Sequence, residues 1–127
     1  MKKKIFLMCL IGVLSISSVY AKCDGGTEMT NTVGTTFCRS NVTMNWWSAA
    51  NWCKANGMHL ATMYEMCPNW DGNRGTGKCP ELNGKGDNYA WSATAHNSTH
   101  AFRVSLPSGL VDNENTPRHG YGYAFCR

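Results

Sequence analysis

The chain has 127 residues, with 12 Lys and Arg against 8 Asp and Glu, for a formal net charge of +4. Three of the basic residues lie within residues 1–21, so residues 22–127 carry nine basic and eight acidic side chains. With this near balance, the chain is not expected to bind nucleic acid or anionic membranes through a large positive charge. The length of residues 22–127 predicts one domain.

Residues 1–21 have the pattern of a secretory signal peptide. Lys2–Lys4 precede the apolar stretch Ile5–Val13, and Val19–Ala21 supplies a small-residue cleavage site. The apolar stretch is shorter than the roughly 20 residues of a membrane-spanning helix. We therefore predict cleavage rather than an uncleaved anchor, no membrane span afterwards, and a secreted or extracellular-surface location, with the periplasm as an alternative.

The first predicted helix follows a polar segment in which Gly25 and Gly26 favour a turn. Small and apolar residues then recur every three or four positions, at Trp46, Ala49, Cys53, Gly57 and Leu60. This period predicts an amphipathic helix from about Trp46 to Asn56, with Trp46, Trp52 and Cys53 on its buried side. Asn45 is a favourable N-cap, and Gly57 stands where a left-handed residue ends a helix.

This run resembles the first helix of C-type lectin-like domains, Trp-x-x-Ala-x-x-x-Cys-x-x-x-Gly-x-x-Leu-Ala. In that family the helix cysteine pairs with a cysteine of the last strand, and Cys126 stands in YAFCR at the end of this chain. The resemblance covers about residues 36–127 and is closest to compact members, which include bacterial adhesin tips. It implies an α+β, disulfide-stapled fold, in which two short helices flank a small, mostly antiparallel sheet.

Six of the seven cysteines lie within residues 22–127, and an even count in a small exported chain predicts three disulfides. The resemblance implies the pair Cys53–Cys126 and an N-terminal hairpin closed by a disulfide. Proximity then suggests Cys23–Cys38 and Cys67–Cys79, each of which closes a short polar loop. Six cysteines and four histidines could alternatively bind zinc, but the chain has no Cys-x-x-Cys motif.

The remaining elements are predicted from capping, breakers and alternation. Thr62 and Glu65 form a capping box for a second helix, which Pro68 ends. A Gly-rich loop follows over residues 69–88, and residues 112–120 read as a second polar loop. The predicted strands are Tyr89–Thr94, whose Trp91 matches the family's buried tryptophan, His100–Leu106 and Tyr121–Arg127.

The resemblance raises the question of calcium, because many members of the family bind sugar through it. Those members carry Glu-Pro-Asn or Gln-Pro-Asp in a long loop and Trp-Asn-Asp before the last strand, and this chain has neither. Calcium needs six to eight oxygen ligands. Asp112, Asn113, Glu114 and Asn115 are rich in oxygen but lack a matching partner segment, so we expect no metal and no cofactor.

Exposed tryptophans beside Asn and Asp side chains hold sugars by stacking and hydrogen bonding without a metal. Trp70, which opens the Gly-rich loop, and Trp47, which lies off the buried helix face, are the candidates. The alternative is that Trp47 packs under the N-terminal hairpin and that Trp70 pins the loop. The predicted ligand-binding residues are Trp70, Asp112, Asn113, Glu114 and Asn115.

No arrangement of side chains indicates catalysis. The GxxxxGK match over residues 72–78 is followed by Cys79 and Pro80, which supply neither the hydroxyl nor the helix that a phosphate loop needs. The expected function is an exported, non-catalytic recognition module that binds a carbohydrate or a cell-surface protein without calcium. Alternatives are a structural subunit of a secreted or pilus-like assembly and a variable receptor-binding protein.

Overall fold

The computed structural model describes residues 23–72, 77–115 and 120–127. The predicted signal peptide, residues 1–21, and most of the GxxxxGK segment lie outside these ranges. None of the helices within the described ranges is both long and apolar enough to cross a membrane.

Six strands and two short α-helices make up the fold of the described residues. The strands are β1 (Gly26–Thr30), β2 (Thr36–Ser40), β3 (Tyr89–Ala95), β4 (His100–Ser105), β5 (Val111–Asn115) and β6 (Tyr123–Cys126). The helices are α1 (Trp46–Ala55) and α2 (Met63–Met66), and a 3₁₀ turn covers Pro80–Leu82. The sheet order is β1-β2-β6-β3-β4-β5, antiparallel throughout except between β3 and β6. The α+β class with a mostly antiparallel sheet is therefore confirmed.

Both helices begin at the caps that the sequence predicts. The Asn45 side chain accepts a hydrogen bond from the Ser48 N–H at 2.8 Å, and Gly57 ends α1 with φ of 75°. The Thr62 hydroxyl accepts from the Glu65 N–H, while the Glu65 carboxylate accepts from the Thr62 N–H. These bonds satisfy backbone donors that a helix leaves free at its N-terminus.

Three disulfides join the pairs expected from the sequence, Cys23–Cys38, Cys53–Cys126 and Cys67–Cys79. The first ties the β1–β2 hairpin to the residues that precede it. The second joins α1 to the last strand across 73 positions of sequence. Since it links elements far apart in the chain, this bridge constrains the unfolded state most strongly.

The two faces of the sheet carry separate apolar clusters. One cluster packs beneath α2 and the loop that follows it, and it includes Phe102, Val104 and Phe125. The other lies beneath α1 and includes Cys53, Trp91 and Ala124. Helix α1 packs against β6 and β3, so the β4–β5 end of the same face is left beyond the helix.

The segment predicted as a polar loop over residues 112–120 contains a strand instead. Residues Val111–Asn115 form β5, which pairs with β4 in antiparallel register, with Asp112 opposite Arg103. The prediction failed because β5 carries one apolar side chain, so the alternation that indicates a strand is missing. Its backbone hydrogen bonds to β4 and its ion pairs with Arg103 take the place of apolar burial.

Candidate functional site

Arg103 organises the open end of the sheet face that α1 leaves uncovered. It lies in β4 between Phe102 and Val104, whose side chains enter the core on the opposite face. Although it is charged, Arg103 is only 8% exposed. A buried guanidinium needs partners for its donors, and β5 supplies them.

Two carboxylates of β5 accept hydrogen bonds from this guanidinium. Arg103 Nε donates to Asp112 Oδ1 at 2.8 Å, and Nη2 donates to Asp112 Oδ2 at 3.3 Å. Nη2 also lies 3.5 Å from Glu114 Oε2. Asp112 and Glu114 are two residues apart on one strand and therefore face the same side. The bidentate contact with Asp112 suits the planar fork of Arg and not the point charge of Lys.

Two aromatic rings of β3 lie beneath the guanidinium. Its carbon stands 3.7 Å from the ring centroid of Tyr89 and 5.7 Å from that of Trp91. Both distances fall within the range of a cation–π interaction. The rings and the carboxylates together hold Arg103 in one position.

A groove of about 460 Å³ runs beside this cluster along the end of β5. Its lining includes the hydroxyl-bearing residues Tyr89, Ser105 and Ser108 together with Asp112 and Leu110. Leu110 is 50% exposed. The groove thus combines hydrogen-bonding groups with one projecting apolar side chain.

Gly120, the first described residue after Asn115, packs closely against the ion pair. Gly120 has φ of 80°, and a Cβ there would meet the Glu114 side chain and approach Arg103 Nη1 to 3.0 Å. Only glycine fits this close approach in a left-handed conformation. The next residue, Tyr121, is 63% exposed, so a large aromatic side chain follows the glycine that packs against Glu114.

Of the predicted ligand-binding residues, the structure brings Asp112 and Glu114 together. Asn113 lies between them in β5 opposite Phe102, so strand alternation places it on the other face. Asn115 ends β5, and its side chain lies outside the described part of the structure.

Trp70 is not the exposed stacking surface that was considered for it. The residue is only 6% exposed, and its ring packs against Tyr64 and Phe102 at centroid distances of 5.2 and 4.9 Å. The backbone N–H of Trp70 donates to the Cys67 carbonyl in the turn beside the Cys67–Cys79 disulfide, and the indole packs inward from this turn. The alternative, a tryptophan that fixes the loop from inside, is the arrangement present.

Sequence reasoning missed Tyr89, Arg103, Leu110 and Tyr121. The alternation in HAFRVSL places Phe102 and Val104 on one face and Arg103 on the other, polar face. The sequence therefore gives no sign that Arg103 is buried or that it needs acidic partners in the DNEN segment.

The carboxylates of this site are already bound to a fixed cation. A calcium ion between Asp112 and Glu114 would have to displace the Arg103 guanidinium, which aromatic rings also hold. Within residues 23–72, 77–115 and 120–127, no group of three or more His, Cys, Asp or Glu side chains could hold a metal ion. The lining of the groove presents hydroxyls, a carboxylate and an exposed leucine, which can form hydrogen bonds and apolar contacts.

No protein-family model, curated protein or solved structure matches this chain.

Proposed function

We propose that this protein is an exported, non-catalytic recognition module of C-type lectin-like fold, which binds a carbohydrate or a cell-surface protein without calcium. The α1 sequence pattern, the long-range bridge from α1 to β6 and the flanking of one mostly antiparallel sheet by two short helices support the fold. Three disulfides suit a small domain outside the reducing cytoplasm.

The observation that carries the proposal is the fixed guanidinium between two carboxylates. Asp112 and Glu114 have the chemistry of calcium ligands, but Arg103 donates to both of them. A built-in cation orients these acids without any metal. Ligand binding at this surface is then independent of calcium.

The groove beside Arg103 offers two kinds of contact to a ligand. The Asp112 side chain is 43% exposed, so its carboxylate can still accept hydrogen bonds from sugar hydroxyls or peptide N–H groups. Leu110 lines the same groove as Asp112. Tyr121 is exposed and follows Gly120, which approaches Glu114 closely, and exposed aromatic side chains anchor many interfaces. Hydroxyls and a carboxylate flanked by apolar side chains suit a polyhydroxylated ligand or a protein surface.

Binding to glycan arrays and to intact cells tests this proposal. The full chain, produced by export so that the disulfides form, is compared with Leu110→Ser and Tyr121→Ser. Both residues are exposed, so the substitutions should leave stability within about 0.5 kcal/mol and weaken binding by roughly tenfold or more.

Matched controls remove exposed apolar side chains elsewhere on the molecule. Val33→Ser and Val42→Ser alter side chains of similar exposure that lie in or beside the N-terminal hairpin. These variants should bind like the unaltered protein. Binding that is unaffected at Leu110 and Tyr121, or equally weakened at Val33 and Val42, would contradict a ligand site at the groove.

A structural subunit is the second candidate, and the position of β1 favours it. Strand β1 is an edge of the sheet, and its far side presents backbone groups that could pair with another chain. Light scattering at high protein concentration tests this role. A concentration-dependent oligomer supports assembly through an edge, whereas a monomer contradicts it.

A further inference from the structure

We propose that a second pocket, formed by the start of α1 and the β3–β4 turn, binds one neutral pyranose ring by stacking on Trp47. The pocket has a volume of about 140 Å³, and its lining includes Trp46, Trp47, Asn97, Ser98 and His100. It shares no lining residue with the groove beside Arg103 that Leu110 and Asp112 line, which is called the Arg103 groove below. The inference rests on the proposed function in taking a glycan as the ligand.

The exposure of Trp47 is the first observation. The residue is 57% exposed although it lies in the first turn of a helix whose other tryptophans pack against the sheet cluster. An exposed indole leaves a large apolar area in water, which has a free-energy cost of roughly 25 cal/mol per Å². The C–H face of a pyranose ring covers such a surface while its hydroxyls stay hydrated.

Trp46 holds the neighbouring ring in place. The Trp46 indole donates to the Ser92 carbonyl at 2.7 Å, which ties it to β3. Trp47 meets it edge to face, with ring centroids 5.1 Å apart and an interplanar angle of 89°. This geometry is favourable for aromatic pairs, so Trp47 has a defined orientation before any ligand arrives.

The β3–β4 turn supplies a polar group with a fixed orientation. Asn97 Oδ1 accepts hydrogen bonds from the backbone N–H groups of Thr99 and His100, both at 2.9 Å. These bonds fix the amide plane and leave its NH₂ group as a donor at the pocket. His100 Nδ1 lies 2.8 Å from the Thr99 hydroxyl, which leaves the Nε2 atom as a further polar contact.

Size and charge narrow the ligand class. Pockets for drug-sized molecules are about 300–1,000 Å³, so a cavity of about 140 Å³ suits one ring at the end of a glycan. No Lys, Arg, Asp or Glu is among the lining residues in the described part of the chain. A neutral sugar therefore fits better than a phosphorylated or sialylated one, whose charge would lack a partner.

The test is ¹⁹F NMR on the full chain labelled with 5-fluorotryptophan. The chain has five tryptophans, and Trp47→Phe assigns the resonance of Trp47. The probes are the methyl glycosides of glucose, galactose, mannose and N-acetylglucosamine, with sorbitol as a polyol that lacks a ring. Titration extends to about 50 mM, above the roughly millimolar dissociation constant expected for one small ring.

At least one methyl glycoside should shift the Trp47 resonance in a saturable way, while sorbitol leaves it unchanged. The resonance of Trp91, which is fully buried, should not move. Asn97→Asp keeps the oxygen that accepts from the turn and removes the NH₂ donor, so it should raise the dissociation constant roughly five- to tenfold. No Trp47 shift with any of the four glycosides, or an equal shift with sorbitol, would overturn the inference.

Groove variants separate this inference from the proposed function. The Trp47 shift should persist in Leu110→Ser, which alters the Arg103 groove alone. Cell or glycan binding that depends on Leu110 without any Trp47 shift overturns the pocket and leaves the proposed function standing. A Trp47 shift accompanied by groove variants that bind normally supports the pocket and overturns the groove.

Discussion

The face of the sheet that carries α1 is covered at one end and open at the other, and the two ends are stabilised differently. At the covered end, Trp91 is fully buried beneath the helix, and the Cys53–Cys126 disulfide lies beside it. At the open end, Arg103 is held by two carboxylates and the Tyr89 ring. Trp91 and Arg103 are register partners on adjacent strands, so the switch from apolar packing to ion pairing occurs between β3 and β4.

This difference separates the residues that hold the fold from those able to meet a ligand. Beneath α1, apolar packing and a disulfide bury Trp91, Cys53 and Cys126, so these side chains cannot contact a ligand. An ion pair over an aromatic ring instead keeps charged atoms oriented at the surface, because the partners fix each other. Leu110 and Tyr121 are exposed, so substitutions there should not disturb the covered end.

The largest expected effect comes from opening the covered end by replacing the Cys53–Cys126 disulfide with two serines. Loss of a bridge across 73 positions should lower the free energy of unfolding by about 4 kcal/mol or more, since the two sites are also buried. The same change at Cys23–Cys38, which spans 15 positions, should cost about 3 kcal/mol or less. Thermal and denaturant unfolding measure both values.

Equal losses of stability in these two variants would contradict the comparison. They would mean that the bridge beneath α1 contributes no more than the one that closes the N-terminal hairpin. Circular dichroism at low temperature, where both variants should still fold, supplies the control for native secondary structure.

Truncation of the aromatic side chains of β3 comes next in size. Trp91→Ala removes a fully buried indole that also donates to the Met44 carbonyl, and it should cost about 3–5 kcal/mol. Tyr89→Ala removes a half-buried ring at the open end and should cost about 1–2 kcal/mol. Denaturant unfolding measures the loss of unfolding free energy in both variants. A larger loss for Tyr89→Ala than for Trp91→Ala would contradict the view that the covered end contributes more to stability.

A double-mutant cycle measures the ion pair of the open end. Arg103→Gln and Asp112→Asn, separately and together, should give a coupling energy of about 1 kcal/mol, because the Asp112 carboxylate is partly exposed and screened by water. Asp87→Asn combined with Arg103→Gln is the matched control. The coupling energy of this control should be near zero. A coupling energy of zero for Arg103 and Asp112 would mean that their ion pair does not stabilise the open end.

The smallest effect concerns pH and the capping box of α2. Burial raises the pKa of the Glu65 carboxyl, but hydrogen bonds from the Thr62 N–H and from His59 outweigh it, so the pKa is lower than usual. A carboxyl whose pKa is lower in the folded than in the unfolded state stabilises the fold fully at pH values above its unfolded-state pKa. This stabilisation is lost as the pH falls through the folded-state pKa.

We therefore expect stability to decline between about pH 5 and pH 3, with Glu65 contributing a part of about 1 kcal/mol or less. Glu65→Gln should remove that part and flatten the slope. Glu28→Gln, an exposed change in β1, is the control. A slope that is the same with and without Glu65 would contradict this assignment.

The elements with local signals were predictable from the sequence. The α1 boundaries follow from helical spacing together with Asn45 and Gly57, and α2 follows from Thr62 and Glu65. The β3 and β4 strands follow from alternation in YAWSAT and HAFRVSL. Each of these signals lies within a few residues of the element that it specifies.

The parts that failed depend on partners distant in sequence. Strand β5 exists because Asp112 and Glu114 meet Arg103 on another strand, which a window of polar residues does not reveal. Trp70 turns inward to pack against Phe102, which lies on a strand distant in sequence. Trp46 is only half-buried although it has core spacing, because it sits at the first turn of α1 and reaches the Ser92 carbonyl at the edge of the cluster.

The most direct test of the central claim is ligand binding measured with calcium and again with a chelator. The exported full chain is applied to a glycan array and to intact cells in both buffers. The account predicts binding of equal strength in the two buffers, because the Arg103 guanidinium already contacts Asp112 and Glu114 and offsets part of their charge. Binding that requires calcium and vanishes with the chelator would show that a metal, and not Arg103, orients the site.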